Sequence, residues 1–156
     1  MTKTVDVRIL GGADTALLRS MLSMFGSAFD DAATYTSRQP DNEYLRRLLS
    51  SDTFVALVAV SGDEVIGGIA AYVLPKFEQA RSELYIYDLA VANDHRRHGV
   101  ATAMISELRK LAAERGVYVI FVQADTGDNA AIDLYTKLGV REDVLHFDIA
   151  PTKCAD

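Results

Sequence analysis

The 156-residue chain sets 22 Asp and Glu against 16 Lys and Arg, a formal net charge of -6. That balance disfavours broad nucleic-acid binding, which depends on neutralising many phosphates, and it suits a cationic partner or mere solubility. The length fits one domain with a proper core, and 49% hydrophobic with 24% charged residues is ordinary for a soluble globular protein. Wholly apolar runs such as VYVIFV at 117–122 are far too short to cross a bilayer. The amino end, MTKTVDVRIL, lacks the apolar region of a signal peptide, and the single Cys154 can form neither an intrachain disulfide nor a cysteine metal site. A cytoplasmic protein is expected.

VDVRIL (5–10) alternates like a short strand and stops at Gly11-Gly12. Leu17, Leu18, Met21, Leu22 and Phe25 then recur at helical spacing behind Asp14, which is placed to cap them. GSAFDDAATYTSRQP (26–40) has no sustained period and reads as a loop with at most one helical turn. Pro40-Asp41 opens a helix whose Tyr44, Leu45, Leu48 and Leu49 form an apolar stripe. TFVALVAV (53–60) is a buried strand, SGDE its turn and VIGGIAAYVL (65–74) its antiparallel partner. A loop through PKFEQARS leads into a third long strand, ELYIYDLAV (83–91). The next helix runs from Val100 to Arg115 with a buried stripe of Val100, Ala103, Met104, Leu108, Leu111 and Ala112, and Gly116 ends it. VYVIFVQA (117–124) has the look of a sheet interior. DTGDNAAIDLYTKLG supplies loop, cap and a short helix closed by Gly139, and VLHFDIA (144–150) is the last strand. No repeat, low-complexity run or linker interrupts this order. A meander of antiparallel strands feeding a strand–helix–strand unit predicts one α/β domain over 1–156 with a mixed sheet.

DHRRHGVATAM (94–104) gathers two arginines and two histidines just before a glycine and an apolar helix. The first turn of a helix has unpaired backbone N–H groups and the positive end of its dipole, so it favours anions. Gly99 lets a bulky anion approach, Ala101 keeps the path open, and Arg96 and Arg97 add mobile positive charge. The stretch lacks the Lys-Ser or Lys-Thr of a P-loop and does not match G-x-G-x-x-G. On its own it is a weak signal, readable also as a basic connector before a glycine-started helix.

LAVANDHRRHGVATAMISELRKLA resembles the acetyl-coenzyme A signature of the GNAT acetyltransferase superfamily, Gln or Arg, two residues, Gly, one residue, then Gly or Ala: here Arg96, Gly99 and Ala101. DNAAIDLYTKLGV resembles that family's second cofactor segment, with Asn129, Ala131 or Ala130, Leu134, Tyr135 and Leu138-Gly139 in its places. DDAATYTSRQPDNEYL, AAYVLPKFEQARSELYIYDLAV and YTKLGVREDVLHFDI are similar to the class I aminoglycoside 3-N-acetyltransferases, over roughly residues 20–150.

The resemblance implies a GNAT fold: a mixed, mostly antiparallel sheet, flanked by helices, whose central strand pair splays apart. It implies acetyl transfer from acetyl-coenzyme A to the 3-amino group of aminoglycosides such as gentamicin, conferring resistance, by direct attack of the amine on the thioester. Pyrophosphate would rest on His98, Gly99, Val100, Ala101 and Thr102 with Arg96 and Arg97 beside it. The thioester carbonyl would take a backbone N–H near Leu89 or Ala90, before Val91. Asn129 would contact the cofactor or simply cap its helix, with Asp128 competing. Tyr135 stands where the family keeps its acid, although it also falls on the apolar stripe of its helix.

For a polycationic acceptor the acids matter. Glu83 and Asp88 bracket LYIY, Asp125 ends the neighbouring strand, Asp30 and Asp31 lie in the first helix–helix loop, and Asp148 is in the last strand. Glu83 is favoured as base with Asp88 second, and Tyr85 and Tyr87 are as readily wall as chemistry. Residues five apart face opposite sides of a regular strand, so both acids reach one site only across a bulge. His95, His98 and His146 lack acidic or thiol partners at ligand spacing, so no metal is expected. Relatives are usually paired protomers, which implies a homodimer. Acetylation of a polyamine or protein amine, and a non-catalytic coenzyme A-binding module, are the competing readings.

Overall fold

The computed structural model describes residues 5–153, and Cys154 lies outside the described residues. The chain forms two compact units, Met1–Gln123 and Ala124–Asp156. In the first, β1 (Asp6–Ile9) is followed by helices α1 (Thr15–Ala28), α2 (Ala32–Thr36) and α3 (Asn42–Leu49). Strands β2 (Phe54–Ser61), β3 (Glu64–Pro75) and β4 (Ser82–Val91) come next, then a 3-10 turn at Asn93–His95, α4 (Val100–Glu114) and β5 (Val117–Val122). The second unit contains α5 (Asn129–Leu138).

The sheet has the order β1-β2-β3-β4-β5. Its first three pairings are antiparallel and β4–β5 is parallel, the mixed sheet expected. β2 is buried from Phe54 to Val60, which explains why FVALVAV is apolar throughout rather than alternating. Phe54, Ala56, Val58 and Val60 pack with Leu18, Met21, Phe25, Leu45 and Leu49 of α1 and α3. Alternation turns Val55, Leu57 and Ala59 to the opposite face. Each fully buried side chain of this size contributes about 1.5–3 kcal/mol of transfer free energy. Gly67-Gly68 lets two helices approach β3 from opposite sides. A Cβ on Gly67 would lie 3.0 Å from Met104 of α4, and one on Gly68 2.5 Å from Met21 of α1.

Several expectations are corrected. Residues 26–28 continue α1, and α2 forms within the stretch read as a loop. Asp14 precedes α1 without capping it by its side chain; its carboxylate instead accepts the Gly11 N–H at 2.7 Å. Ile105, not Ala103, is buried on α4, because the buried face is wider than the stripe counted. β5 lies at the sheet edge among the described residues, with Tyr118 and Val119 exposed, rather than in the interior. Residues 144–150 form no strand among the described residues: the segment alternates as a strand should but has no sheet neighbour.

Candidate active site

β4 is paired on both edges only along its first half. Its last pairing with β5 is Ile86 to Val122, and Tyr87–Val91 are paired with β3 alone. This parting is the splay that the resemblance implies, and it leaves one backbone edge of Tyr87–Val91 without a strand partner. The β3–β4 register also slips: Ala71 faces Ile86 while Ala70 faces Asp88, so Tyr87 is an extra residue. The bulge puts Glu83 and Asp88 on the same face of the sheet. About four strand steps still separate them, roughly 13 Å along the strand. One amine cannot touch both.

Their surroundings differ. Glu83 accepts a hydrogen bond from the Tyr118 hydroxyl, and Lys76 Nζ is 3.7 Å away. The Arg81 guanidinium lies 3.8 Å from the centre of the Tyr118 ring, so the acid sits inside a mutually neutralising cluster. Asp88 accepts a hydrogen bond from the Tyr35 hydroxyl of α2 at 2.9 Å. Burial raises its carboxyl above the ordinary value, and the Tyr35 hydrogen bond opposes that rise. The Tyr35 hydroxyl is itself held well above the ordinary phenol value, first by burial and then by Asp88.

Around this pair Phe25, Phe29 and Tyr35 form an aromatic corner between α1 and α2. Tyr72 and Tyr87 meet edge to face at 5.7 Å, and Tyr87 meets Tyr85 at 5.8 Å. Tyr87 is 62% exposed. Asp31 caps α2 by accepting the Thr34 N–H, and its charge reaches Tyr35. Asp30, adjacent, is exposed with φ +51° in the α1–α2 turn. Thus Asp31, Asp88 and Tyr87 share one region with Tyr35 and Tyr72, two residues that sequence reasoning did not single out. A tyrosine in a polar interhelix stretch gives no sign that it reaches a strand 53 residues later.

The stretch expected to seat an anion joins β4 to α4. Gly99 is the N-cap of α4 at φ +77°, a left-handed conformation, and a Cβ there would meet nothing within 4 Å. No side chain caps the helix and no acid lies in its first turn. Arg96 Nε donates to the Val91 carbonyl at 3.2 Å, drawing the arginine back to the end of β4, and Arg97 and His98 are exposed. Val100 is buried, whereas Ala101 is half-buried and Thr102 is exposed. Leu89 and Val91 are half-buried and Ala90 is buried. An uncapped turn, open glycine and two free-ended arginines fit a diphosphate. Among the described residues no three His, Cys, Asp or Glu gather as for a metal ion, and no helix is long and apolar enough to cross a membrane.

In the second unit Asp128, rather than Asn129, caps α5, accepting the Ala131 N–H at 3.2 Å. This leaves the exposed Asn129 amide uncommitted to the cap. Tyr135 is half-buried; burial first, then the Asp128 charge, push its hydroxyl up to about 12. Asp125 lies three residues beyond the end of β5 rather than in it. Asp148, outside any strand, is exposed and 2.9 Å from the His146 ring.

The topology, the splayed β4 and the uncapped start of α4 define an acetyltransferase of the α/β class. The chain belongs to the Acetyltransferase (GNAT) family, whose pattern matches residues 18–140. Members use acetyl-coenzyme A as acetyl donor. The chain is 57% identical to the aminoglycoside acetyltransferase HMB0005 from an uncultured soil metagenomic sample, covering 96% of this chain and 99% of that one at a TM-score of 0.94. It is 28% identical to the aminoglycoside acetyltransferase meta-AAC0020, also from uncultured soil and crystallised with sisomicin, covering 95% and 97% at a TM-score of 0.87. N-acetyltransferase 8B of Rattus norvegicus is 28% identical over 90 residues, 58% of this chain. The chain spans about two fifths of the length of that curated relative.

Proposed function

We propose that this chain transfers acetyl from acetyl-coenzyme A to the 3-amino group of aminoglycosides such as gentamicin, and thereby confers resistance. The reading takes residues 1–156 as a single acetyltransferase domain. The observation that carries it is Asp88. A partly buried carboxylate stands on the bulge where β4 leaves β5, beside exposed tyrosine faces and Asp31. Carboxylates and aromatic faces suit a sugar bearing several ammonium groups. The soil enzymes at 57% and 28% identity, both aminoglycoside acetyltransferases, support the substrate class.

Acetyl-coenzyme A would supply an activated acetyl thioester, its diphosphate held by the start of α4 and by Arg96 and Arg97. Asp88 accepts a proton from the acceptor ammonium, directly or through water, so that nitrogen attacks with its lone pair free. Glu83, bonded to the Tyr118 hydroxyl with Lys76 close by, serves as the distant acid of the groove. On the free edge of β4 the Leu89 N–H, which alternation turns away from β3 while Ala90 turns toward it, would meet the thioester oxygen as negative charge develops there. On the family resemblance Tyr135 would donate a hydrogen bond to the sulfur as the C–S bond breaks and thiolate leaves; the second proton, shed by the new amide nitrogen, passes through water to that thiolate. A phenol raised to about 12 is a poor source of a whole proton for a thiolate whose conjugate acid is near 8.5.

Thiol release from acetyl-coenzyme A with gentamicin, followed by NMR of the product, tests the proposal. Acetate on the 3-nitrogen is expected; turnover of spermidine alone would move the assignment to another amine, and binding without turnover to a silent module. We extend the reading to a homodimer. Leu145, Phe147 and Ile149 alternate with His146 and Asp148 along the chain and are 84%, 77% and 91% exposed, apolar side chains that a second copy would cover. Light scattering in solution reads the mass directly.

A further inference from the structure

The Tyr35–Asp88 contact joins elements far apart in the chain and is built with care on the tyrosine side. Tyr35 packs edge-on against Phe25 at 5.8 Å and tilted against Phe29 at 5.6 Å. Gln39 Nε2 donates to its carbonyl at 3.2 Å, and Asp31 caps its helix. A Cβ on Gly26 would lie 3.4 Å from Ala32 and 3.6 Å from Tyr35, so α2 rests directly on α1. The ring is therefore fixed before its hydroxyl meets Asp88 Oδ2. Among the described residues no other hydrogen bond reaches the Asp88 side chain, which leaves Oδ1 for a substrate.

We propose that Tyr35 is a positioning residue: its hydroxyl, 2.9 Å from Asp88 Oδ2, holds the Asp88 carboxylate in the orientation that receives the acceptor amine. The inference rests on Asp88 being the proton acceptor of the function proposed above. The groups facing Asp88 are Tyr35 from α2 with Asp31 behind it, Tyr72 from β3, and Tyr85 and Tyr87 from β4 itself. None is cationic. Burial pushes the carboxyl toward its neutral form, and a neutral acid cannot take the proton. Among the described residues the Tyr35 hydroxyl is the one hydrogen-bond donor set against that tendency.

Tyr35→Phe keeps the ring and its packing and deletes the donor. The acid limb of kcat/KM should move to higher pH, costing about tenfold on that limb, the worth of a hydrogen bond to a charged group, with the loss shrinking as pH rises. The Asp88 side-chain carbon, followed by NMR in wild type and variant without substrate, should titrate at higher pH in Tyr35→Phe. A fall in kcat/KM of equal size at every pH, or an unmoved carbon titration, overturns the proposal. So does a moved carbon with an unmoved acid limb, since Asp88 would then not govern the rate. Wild-type inactivity toward every aminoglycoside would overturn the functional reading instead, and the carbon titration would still decide what Tyr35 does to Asp88.

Discussion

Along β4 the first half, Ser82–Ile86, has strands on both sides, and its acid, Glu83, is satisfied by Tyr118 and Lys76. The second half, Tyr87–Val91, has β3 alone, and its acid, Asp88, is half-buried with one hydroxyl as company. Both acids share a face of one strand and both touch a tyrosine. What separates them is neutralisation. Glu83 has the Lys76 ammonium 3.7 Å away, whereas among the described residues no cation pairs with Asp88, which bears the cost of burial. A partly buried carboxylate held at a break in the sheet by one hydroxyl is a candidate for chemistry rather than for folding.

The widest break in that comparison is Asp88→Asn. Loss of the proton acceptor should lower kcat/KM by about 10² to 10⁴. Stability should move the other way. Burial raises the folded value of Asp88, so its favourable contribution is present below about pH 4 and disappears as pH rises through that raised value. At neutral pH the charged form is a cost that asparagine removes, and the melting temperature should hold or rise. Retained turnover with a lower melting temperature would place Asp88 among the structural acids.

Gly99→Asp tests the other side of the same break, the anion seat that follows β4. Aspartate tolerates the left-handed conformation at a cost of about 1 kcal/mol, and its Cβ enters open space, so the fold should survive. Its charge would oppose the diphosphate at the helix start. Calorimetry should show coenzyme A affinity reduced by roughly a hundredfold, about 2.8 kcal/mol, with the thermal transition nearly unmoved. Unchanged affinity would remove the diphosphate from this turn.

The proposed seat was legible in the sequence because its parts are contiguous: Arg96 in the connector, Gly99 at the N-cap and Ala101 in the first turn of α4 lie within six residues. The strands and α4 were legible for the same reason, since their periodicity is local. Asp88 against Glu83 was not decidable, because the answer turns on a one-residue bulge at Tyr87 and on Tyr118, 35 residues away. Tyr35 was invisible, its contact being longer-ranged still. Residues 144–150 mislead in the opposite direction: alternation in VLHFDIA is real, but a strand also needs a neighbour, and among the described residues it has none.

Tyr135→Phe should have a smaller effect than either change above. If Tyr135 serves the departing sulfur as proposed, a hydroxyl pushed up to about 12 supplies a hydrogen bond rather than a proton, and kcat should fall by about tenfold with KM nearly constant. Stopped-flow thiol release measures both. An unaltered kcat would return Tyr135 to the packing of α5.

Glu83→Gln gives the smallest expected effect on rate and the sharpest contrast with Asp88→Asn. The amide keeps the shape and can still accept from Tyr118, but it loses attraction to Lys76, a partly exposed pair of modest worth. Turnover should stay within about threefold, since a neutralised acid some 13 Å away cannot take the proton from the same nitrogen. Steady-state assays of the two amide variants under one set of conditions decide the matter. If Glu83→Gln were the more damaging, the proton acceptor would lie at the doubly paired end of β4, and the bulge at Tyr87 would serve only to aim Asp88 at Tyr35.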